Sequence, residues 1–301
     1  MDLFFTQLFN GLAIGSIYAL IALGYTMVYG ILRLINFAHG HLFTIGAYFG
    51  LTILTSFALR DWVSVLIIPF ILALMAAGLV GLVGYLLERV AYRPLRKANR
   101  LAAVVSALGA GIFFSDGLML LYGPNRLSYP VDMISLPNFV LFGIDIQSKK
   151  LIMFAAASLL MLVLFWFVHR TRTGTAIRAV AIDQGAAKLM GINVNHIISL
   201  VFIIGPALGA VAGVLLGLFY GQISYDMGYM YGLKAFVAAI VGGIGNIPGA
   251  MVGGMALGLI EALGEGYISG SWKEAIAFGV LIVILIFRPT GILGERVAEK
   301  I

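Results

Sequence analysis

The chain contains no cysteine. That removes disulfide frameworks, thiolate metal sites and cysteine nucleophiles together. Charge is also scarce: 11% of its 301 residues are Asp, Glu, Lys or Arg, against about 25% in soluble domains. There are four histidines in all. His39 and His41 are adjacent-but-one, which puts them on different faces of a helix, so no metal site is expected. No lysine follows a glycine, so the Gly-Lys-Ser/Thr phosphate loop and its ATP site are absent. If ATP drives this protein, another polypeptide must bind it. A Gly-x-Ser-x-Gly elbow is lacking too, and carboxylates within the apolar runs are few and scattered. No catalytic residue is expected, and an intramembrane enzyme has no nucleophile–base pair to work with.

What the chain does have is hydrocarbon: 61% of its residues are hydrophobic and 38 are glycine. Most of its surface must therefore face lipid, with glycines permitting close helix approach. The net charge of +6 resides in loops between apolar runs, where it signals topology rather than nucleic-acid binding. Apolar runs fall at Phe4–Tyr29, Phe37–Leu59, Val63–Leu87, Leu101–Tyr122, Leu151–Val168, Ile197–Tyr220, a broken pair over 233–263, and Ala275–Phe287. The N-terminus has no basic region or cleavage site of the secretory kind, so the first run reads as a retained span. The pattern predicts an all-α polytopic membrane protein of about eight or nine transmembrane segments, in a single domain over 1–301.

Lys and Arg cluster at 89–100 (Arg89, Arg93, Arg96, Lys97, Arg100), at 170–188 (Arg170, Arg172, Arg178, Lys188) and in the tail (Arg288, Arg296, Lys300). The positive-inside rule makes these cytoplasmic. The N-terminus is then outside, as is the loop of about 123–149, whose Pro124, Pro130 and Pro137 and alternating apolar residues suggest a short hairpin or helix. Lys149 and Lys150 run mildly against the charge rule.

The broken pair is organised around Gly242-Gly243-Ile244-Gly245-Asn246-Ile247-Pro248-Gly249-Ala250. Each half covers only ~21 Å of a hydrocarbon core ~30 Å thick. Backbone that leaves a helix at membrane depth must be buried in protein or line a wet cavity. Short hydrophobic segments interrupted by Gly and Pro point to a transporter's substrate path. The alternative is a short cytoplasmic turn between two ordinary spans. Arg33–His41 is a second polar interruption, and Asn36…Gly40…Gly46 loosely echoes Asn246…Gly249…Gly253. Either a half-helix N-terminus here aims free N–H groups at a carboxylate, or Asn36 simply caps the second helix.

Ionisable groups inside apolar runs are costly; Asp116, Lys234 and Glu261 stand out. Lys234 and Glu261 are read as a possible intramembrane ion pair bracing the broken helices, with a substrate or proton role as the alternative. In the stretch Thr173–His196, Arg178-Ala179-Val180-Ala181 leads into a small-residue face (Ala186, Ala187) and a stop at Gly191. Such a surface, with few large side chains, lets a partner come close; an ordinary solvated loop is the alternative.

These residues resemble the LivH-like integral-membrane permease of bacterial branched-chain amino acid ABC importers. The likeness is carried by Gly15–Gly30, by Asn36-Phe37-Ala38-His39-Gly40, by Arg178-Ala179 with Ala186-Ala187…Gly191, by Gly242–Ala250 and by Arg288-Pro289-Thr290-Gly291. It implies a multi-pass protein of the bacterial inner membrane. Its partners would be a second related permease, two cytoplasmic ATPase subunits holding ATP and Mg, and a periplasmic substrate-binding protein. No cofactor would be bound by this chain. The expected cargo is branched-chain or related hydrophobic amino acids. Asn36, His39, Asn246 and Pro248 are the expected translocation-path residues, and Arg178, Asp183, Ala186, Ala187 and Gly191 the ATPase-docking ones. The chain departs from the family at Gly185, where an acidic residue is usual and Asp183 stands two positions earlier, and at His41, where Glu is common. A passive channel for a small polar solute such as urea or an amide is the alternative.

Overall fold

The computed structural model describes residues 2–56, 67–129, 139–141 and 144–294. Leu59 and Val63 at the ends of two expected spans, Pro130 and Pro137 of the 123–149 loop, and Arg296 and Lys300 of the tail lie outside the described residues.

Helix α1 (Asp2–Leu32) is the axis of the molecule. It is apolar all round, and 94% of its most hydrophobic window is buried inside the protein, as expected of a helix with no polar face. Around it stand α2 (His39–Ser56), α8 (Val194–Tyr220), α9 (Met227–Gly242) and α10 (Ile247–Tyr267). Contacts are made through small residues. A Cβ on Gly254 would fall 2.4 Å from Ala19 Cα, and one on Gly46 would fall 2.3 Å from Ala210 Cα. Approach this close substitutes backbone packing for the hydrophobic drive that lipid removes.

The outer helices are α3 (Ile67–Leu87), α4 (Arg100–Tyr122), α5 (Ser148–Arg170) and α11 (Lys273–Phe287). Buried shares of their apolar windows run from 6% to 33%, so their remaining faces meet lipid or another membrane subunit. Among the described residues, seven helices are long and apolar enough to cross a membrane, roughly consistent with the expected eight or nine; α2, and α9 with its 16 residues, complete the bundle. Two shorter helices, α6 (Arg172–Ile182) and α7 (Gln184–Leu189), lie between α5 and α8. Part of the 123–149 loop is the hairpin of the two alternatives: β2 (Phe139–Leu141) pairs antiparallel with β3 (Ile144–Ile146). Upstream, β1 (Leu127–Ser128) pairs with β4 (Gln222–Ile223), just after α8.

The broken pair is present, but its break lies elsewhere in depth than the sequence suggests. α9 ends at Gly242 and α10 begins at Ile247, with Gly243 (φ 109°) and Gly245 (φ 96°) supplying backbone that L-residues avoid. Gly245 packs beside Gly30, two residues from the end of α1. The turn therefore sits at the end of the bundle, and α10, with 21 residues, spans unaided. The tail seals the turn: Ile292 N–H donates to Val241 O (2.8 Å) and Leu293 N–H to Gly242 O (3.0 Å), satisfying carbonyls that a helix end leaves open.

Irregular backbone does occur inside the bundle, at the other interruption. His39 Nε2 lies 3.2 Å from Ile21 O, and a Cβ on Gly24 would overlap the His39 ring. Gly24 and Ile21 precede the end of α1 by about 12–17 Å of helix. Residues 33–38 thus fold back from the bundle end, and α2 starts deep within it. α9 starts at the same depth, because Gly228 and Gly232 pack on Gly40. Two helices that begin inside a bundle leave backbone groups that need polar company.

Candidate functional site

The polar company is local. Asn36 Oδ1 accepts from Ala38 N–H (3.1 Å) and from the Tyr92 hydroxyl (2.8 Å), and the Asn36 carbonyl accepts from His39 N–H (3.0 Å). The arrangement forms a side-chain turn that fixes where α2 begins. Asn36 and His39 are both buried, and among the described residues His39 Nδ1 and Asn36 Nδ2 have no hydrogen-bond partner. The His39 ring packs edge-on against Tyr25, 4.7 Å between centroids.

In front of this junction lies a cavity of about 360 Å³ between α1, α2, α4 and α9. Tyr25, His41, Ser115, Asp116 and Asp226 form its polar lining, and Phe37, Leu108, Ile112, Leu233 and Phe236 its apolar wall. The His41 ring rests on Gly111 of α4. Ser115 Oγ reaches Tyr225 O at 3.5 Å, tying α4 to the link before α9. Asp116 and Asp226 are exposed on the open side. Among the described residues, neither makes a salt bridge with Lys or Arg. Carboxylates facing hydrocarbon at this depth would be costly, so the open side must meet water or protein.

Asn36, His39, Asn246 and Pro248 do not line this cavity. The first two stand behind it, setting the start of α2. Asn246 caps α10 at the far turn, its Oδ1 accepting from Gly249 N–H (3.2 Å) and its Nδ2 donating to Leu293 O (2.7 Å); Pro248 occupies the first turn of α10. Of the cavity residues, Asp116 was visible in sequence as a charge within an apolar run. Asp226, Ser115 and Tyr25 carried no such signal, since only the fold-back of 33–38 and the entry of α9 bring them together. A larger cavity of about 490 Å³ lies between α3, α5 and α8, with Lys149 its sole charged lining residue among those described. Its wall is hydrocarbon and suits an acyl chain better than a polar solute.

Lys234 Nζ is 2.7 Å from Glu261 Oε1 and 3.3 Å from Glu274 Oε1, while Lys273 Nζ is 3.5 Å from Glu261 and 3.0 Å from Glu265. Glu261 and Lys234 are buried. The network staples α9, α10 and α11. Another buried carboxylate, Glu88, is bonded to Arg96 and, at 2.8 Å, to Ser199. Burial draws the Arg96 guanidinium below its ordinary range, with Glu88 beside it opposing that shift.

At the α1 C-terminal end of the bundle, Asp183 N-caps α7 by accepting from Gly185 N–H (2.8 Å) and Ala186 N–H (3.0 Å). Gly191, at φ 79°, ends that turn. Arg178 and Ala186 are exposed, whereas Ala187 is buried. The protruding surface is not the small-residue face read from sequence: Ile182, Leu189 and Met190 are 84%, 90% and 82% exposed. Helix α7 turns Ala187 inward, which directs its large residues outward. Gln184 Nε2 donates to Ile31 O (3.0 Å) and joins this segment to the end of α1.

Comparison with known proteins places these features in a family. The model of the family described as branched-chain amino acid transport system / permease component matches residues 7–285. The chain is 46% identical to the high-affinity branched-chain amino acid transport system permease protein BraD of Pseudomonas aeruginosa, covering 98% of this chain and 97% of that one. It is 44% identical to the corresponding permease protein LivH of Escherichia coli, covering 99% and 98%. A solved structure of a metal-chelate type ABC transporter in an inward-facing conformation covers 92% of this chain and 84% of its own, at 19% identity and a TM-score of 0.49.

Proposed function

Because the chain belongs to the branched-chain amino acid transport system permease family, we propose that it is the membrane permease of an ATP-driven importer of branched-chain amino acids. The near full-length identity to permeases of high-affinity branched-chain systems carries this reading. The passive-channel alternative finds no support among those relatives. ATP and Mg belong on two cytoplasmic ATPase subunits, since this chain has no Gly-Lys phosphate loop. A binding protein delivers cargo on the outer side of the bacterial inner membrane. The N-terminus lies outside and the C-terminus in the cytoplasm, as the basic loops favour.

The passage runs along the α2–α4–α9 face and is closed by a second, related permease. That face carries the open cavity with Asp116 and Asp226, which a companion subunit would shelter from lipid. Asn36 and His39 serve the passage by fixing where α2 starts; Asn246 and Pro248 serve it by holding the turn to which the tail is bound. ATPase docking falls to the segment of Arg178, Asp183, Ala186, Ala187 and Gly191. Asp183 and Gly191 shape α7, Ala187 seats it, and Leu189 and Met190 supply the apolar knob. The Gln184–Ile31 bond joins α7 to the residues immediately before the 33–38 link, so a displacement at the ATPase reaches the start of α2 through a short covalent path. Co-expression of this chain with the second permease, the two ATPase subunits and the binding protein, followed by ligand-free reconstitution, tests this. Leucine uptake should need ATP, the ATPase subunits and the binding protein. Solute flux through this chain alone would refute it.

A further inference from the structure

We propose that the α2–α4–α9 cavity is a cargo-recognition site: Asp116 and Asp226 receive the α-ammonium group, while Phe37, Ile112, Leu233 and Phe236 enclose an aliphatic side chain. This rests on the importer reading above and specifies what its passage selects.

Three observations carry it. Both carboxylates line one cavity, and among the described residues its lining holds no lysine or arginine. The nearest lysine in sequence, Lys234, follows the lining residue Leu233 but is committed to Glu261 at 2.7 Å. Among the described residues, anionic charge is thus concentrated where the lining supplies no fixed cation, and His41 is the one imidazole there. The second observation is depth. Asp116 precedes the end of α4 by six residues, or about 9 Å of helix, so it sits within the apolar run and not in the outer loop. A carboxylate held there calls for a cation to arrive with the cargo. The third is the rest of the lining, which is largely aromatic and aliphatic, in a cavity of about 360 Å³. Small-molecule pockets run from ~300 to ~1,000 Å³, with apolar walls and a few polar groups that fix orientation.

The arrangement discriminates by charge. An aliphatic amino acid brings one cation to two carboxylates and a side chain to the hydrocarbon wall. The amino acid's own carboxylate arrives beside that ammonium, whereas its des-amino counterpart, with the same side chain, would add a third anion with no cation to offset it and be repelled. The binding protein's selectivity would then be repeated inside the membrane.

The test uses the assembled transporter with its ATPase subunits and binding protein in proteoliposomes. Two readouts are taken: uptake of labelled leucine, and cross-linking by a diazirine analogue of leucine followed by peptide mapping. Asp116→Asn and Asp226→Asn keep the side-chain shape and remove the charge. Loss of a charge-assisted hydrogen bond should lower uptake about 10- to 100-fold. The analogue should label peptides spanning 108–116 and 228–236, and leucine, but not 4-methylpentanoate, should compete. Unchanged uptake in the double variant, labelling confined to other peptides, or equal competition by 4-methylpentanoate would each overturn the proposal. Should the variants fail to assemble, labelling and competition in the unmodified transporter decide the matter. Failure of the unmodified transporter to move any amino acid would instead strike at the importer reading; uptake that ignores both aspartates strikes only at this one.

Discussion

The stapling network at Glu261 is asymmetric, and that asymmetry can be measured. Glu261 is fully buried and faces two lysines, Lys234 at 2.7 Å and Lys273 at 3.5 Å. Removing its charge strands Lys234, which is left with Glu274, a side chain 47% exposed. Removing Lys234 leaves Glu261 with Lys273 still in reach. Breaking a buried pair by deleting one partner costs about 3–5 kcal/mol. Because an exposed partner returns at most about 1 kcal/mol, Glu261→Gln should fall at the upper end and Lys234→Met at the lower. The double change Lys234→Met/Glu261→Leu removes both charges, so its cost should be well below the sum of the single changes. Thermal melting of the purified assembly, followed by tryptophan fluorescence, ranks the three. A Lys234→Met variant that melts earlier than Glu261→Gln, or strictly additive losses, would refute the reasoning.

Other perturbations follow from the packing. Gly254→Val should abolish assembly, since a Cβ there lies 2.4 Å from Ala19 Cα and N, whereas Gly117→Ala, with nothing within 4 Å, should be silent; size-exclusion profiles of tagged protein separate the two. Asn246→Ala loses the cap on Gly249 and the bond to Leu293 O. It should cost about 1 kcal/mol and speed proteolysis of the tail, read by mass spectrometry. Leu189→Asp, on a residue 90% exposed in the chain alone, should leave the permease folded but reduce co-purification of the ATPase at least about tenfold, as loss of a buried anchor costs 2 kcal/mol or more.

The helical bundle was legible because lipid imposes a plain rule: apolar runs of sufficient length must be helices. The interruption at 242–250 was legible too, since Gly243 and Gly245 adopt φ values that glycine favours. Its depth was not, because length alone cannot tell a bundle-end turn from a mid-membrane break. Only the packing of Gly245 on Gly30 decides it. At 33–41 the sequence shows a polar interruption with two readings, a half-helix N-terminus or a cap at Asn36, and only the placement of His39 against Ile21 reveals the deep start of α2. In the cavity, Asp116 stood out by its cost. Asp226 was hidden in a polar link whose position depends on α9 entering beside Gly40. The outward face of α7 is not legible in composition, which does not reveal that Ala187, and not Leu189, turns inward.

The absence of cysteine makes the proposed passage directly accessible to measurement. Single cysteines at Ser115, Leu233 and Tyr229, which line the cavity, can be compared with one at Leu120, which is 82% exposed near the C-terminal end of α4 but lies outside the cavity lining. In the assembled transporter, a small charged thiol reagent should modify the three cavity positions, and saturating loaded binding protein with ATP should change their rates. Leu120 should react at a rate that ignores both. Unreactive cavity cysteines, or rates that respond equally at Leu120, would contradict a passage along the α2–α4–α9 face.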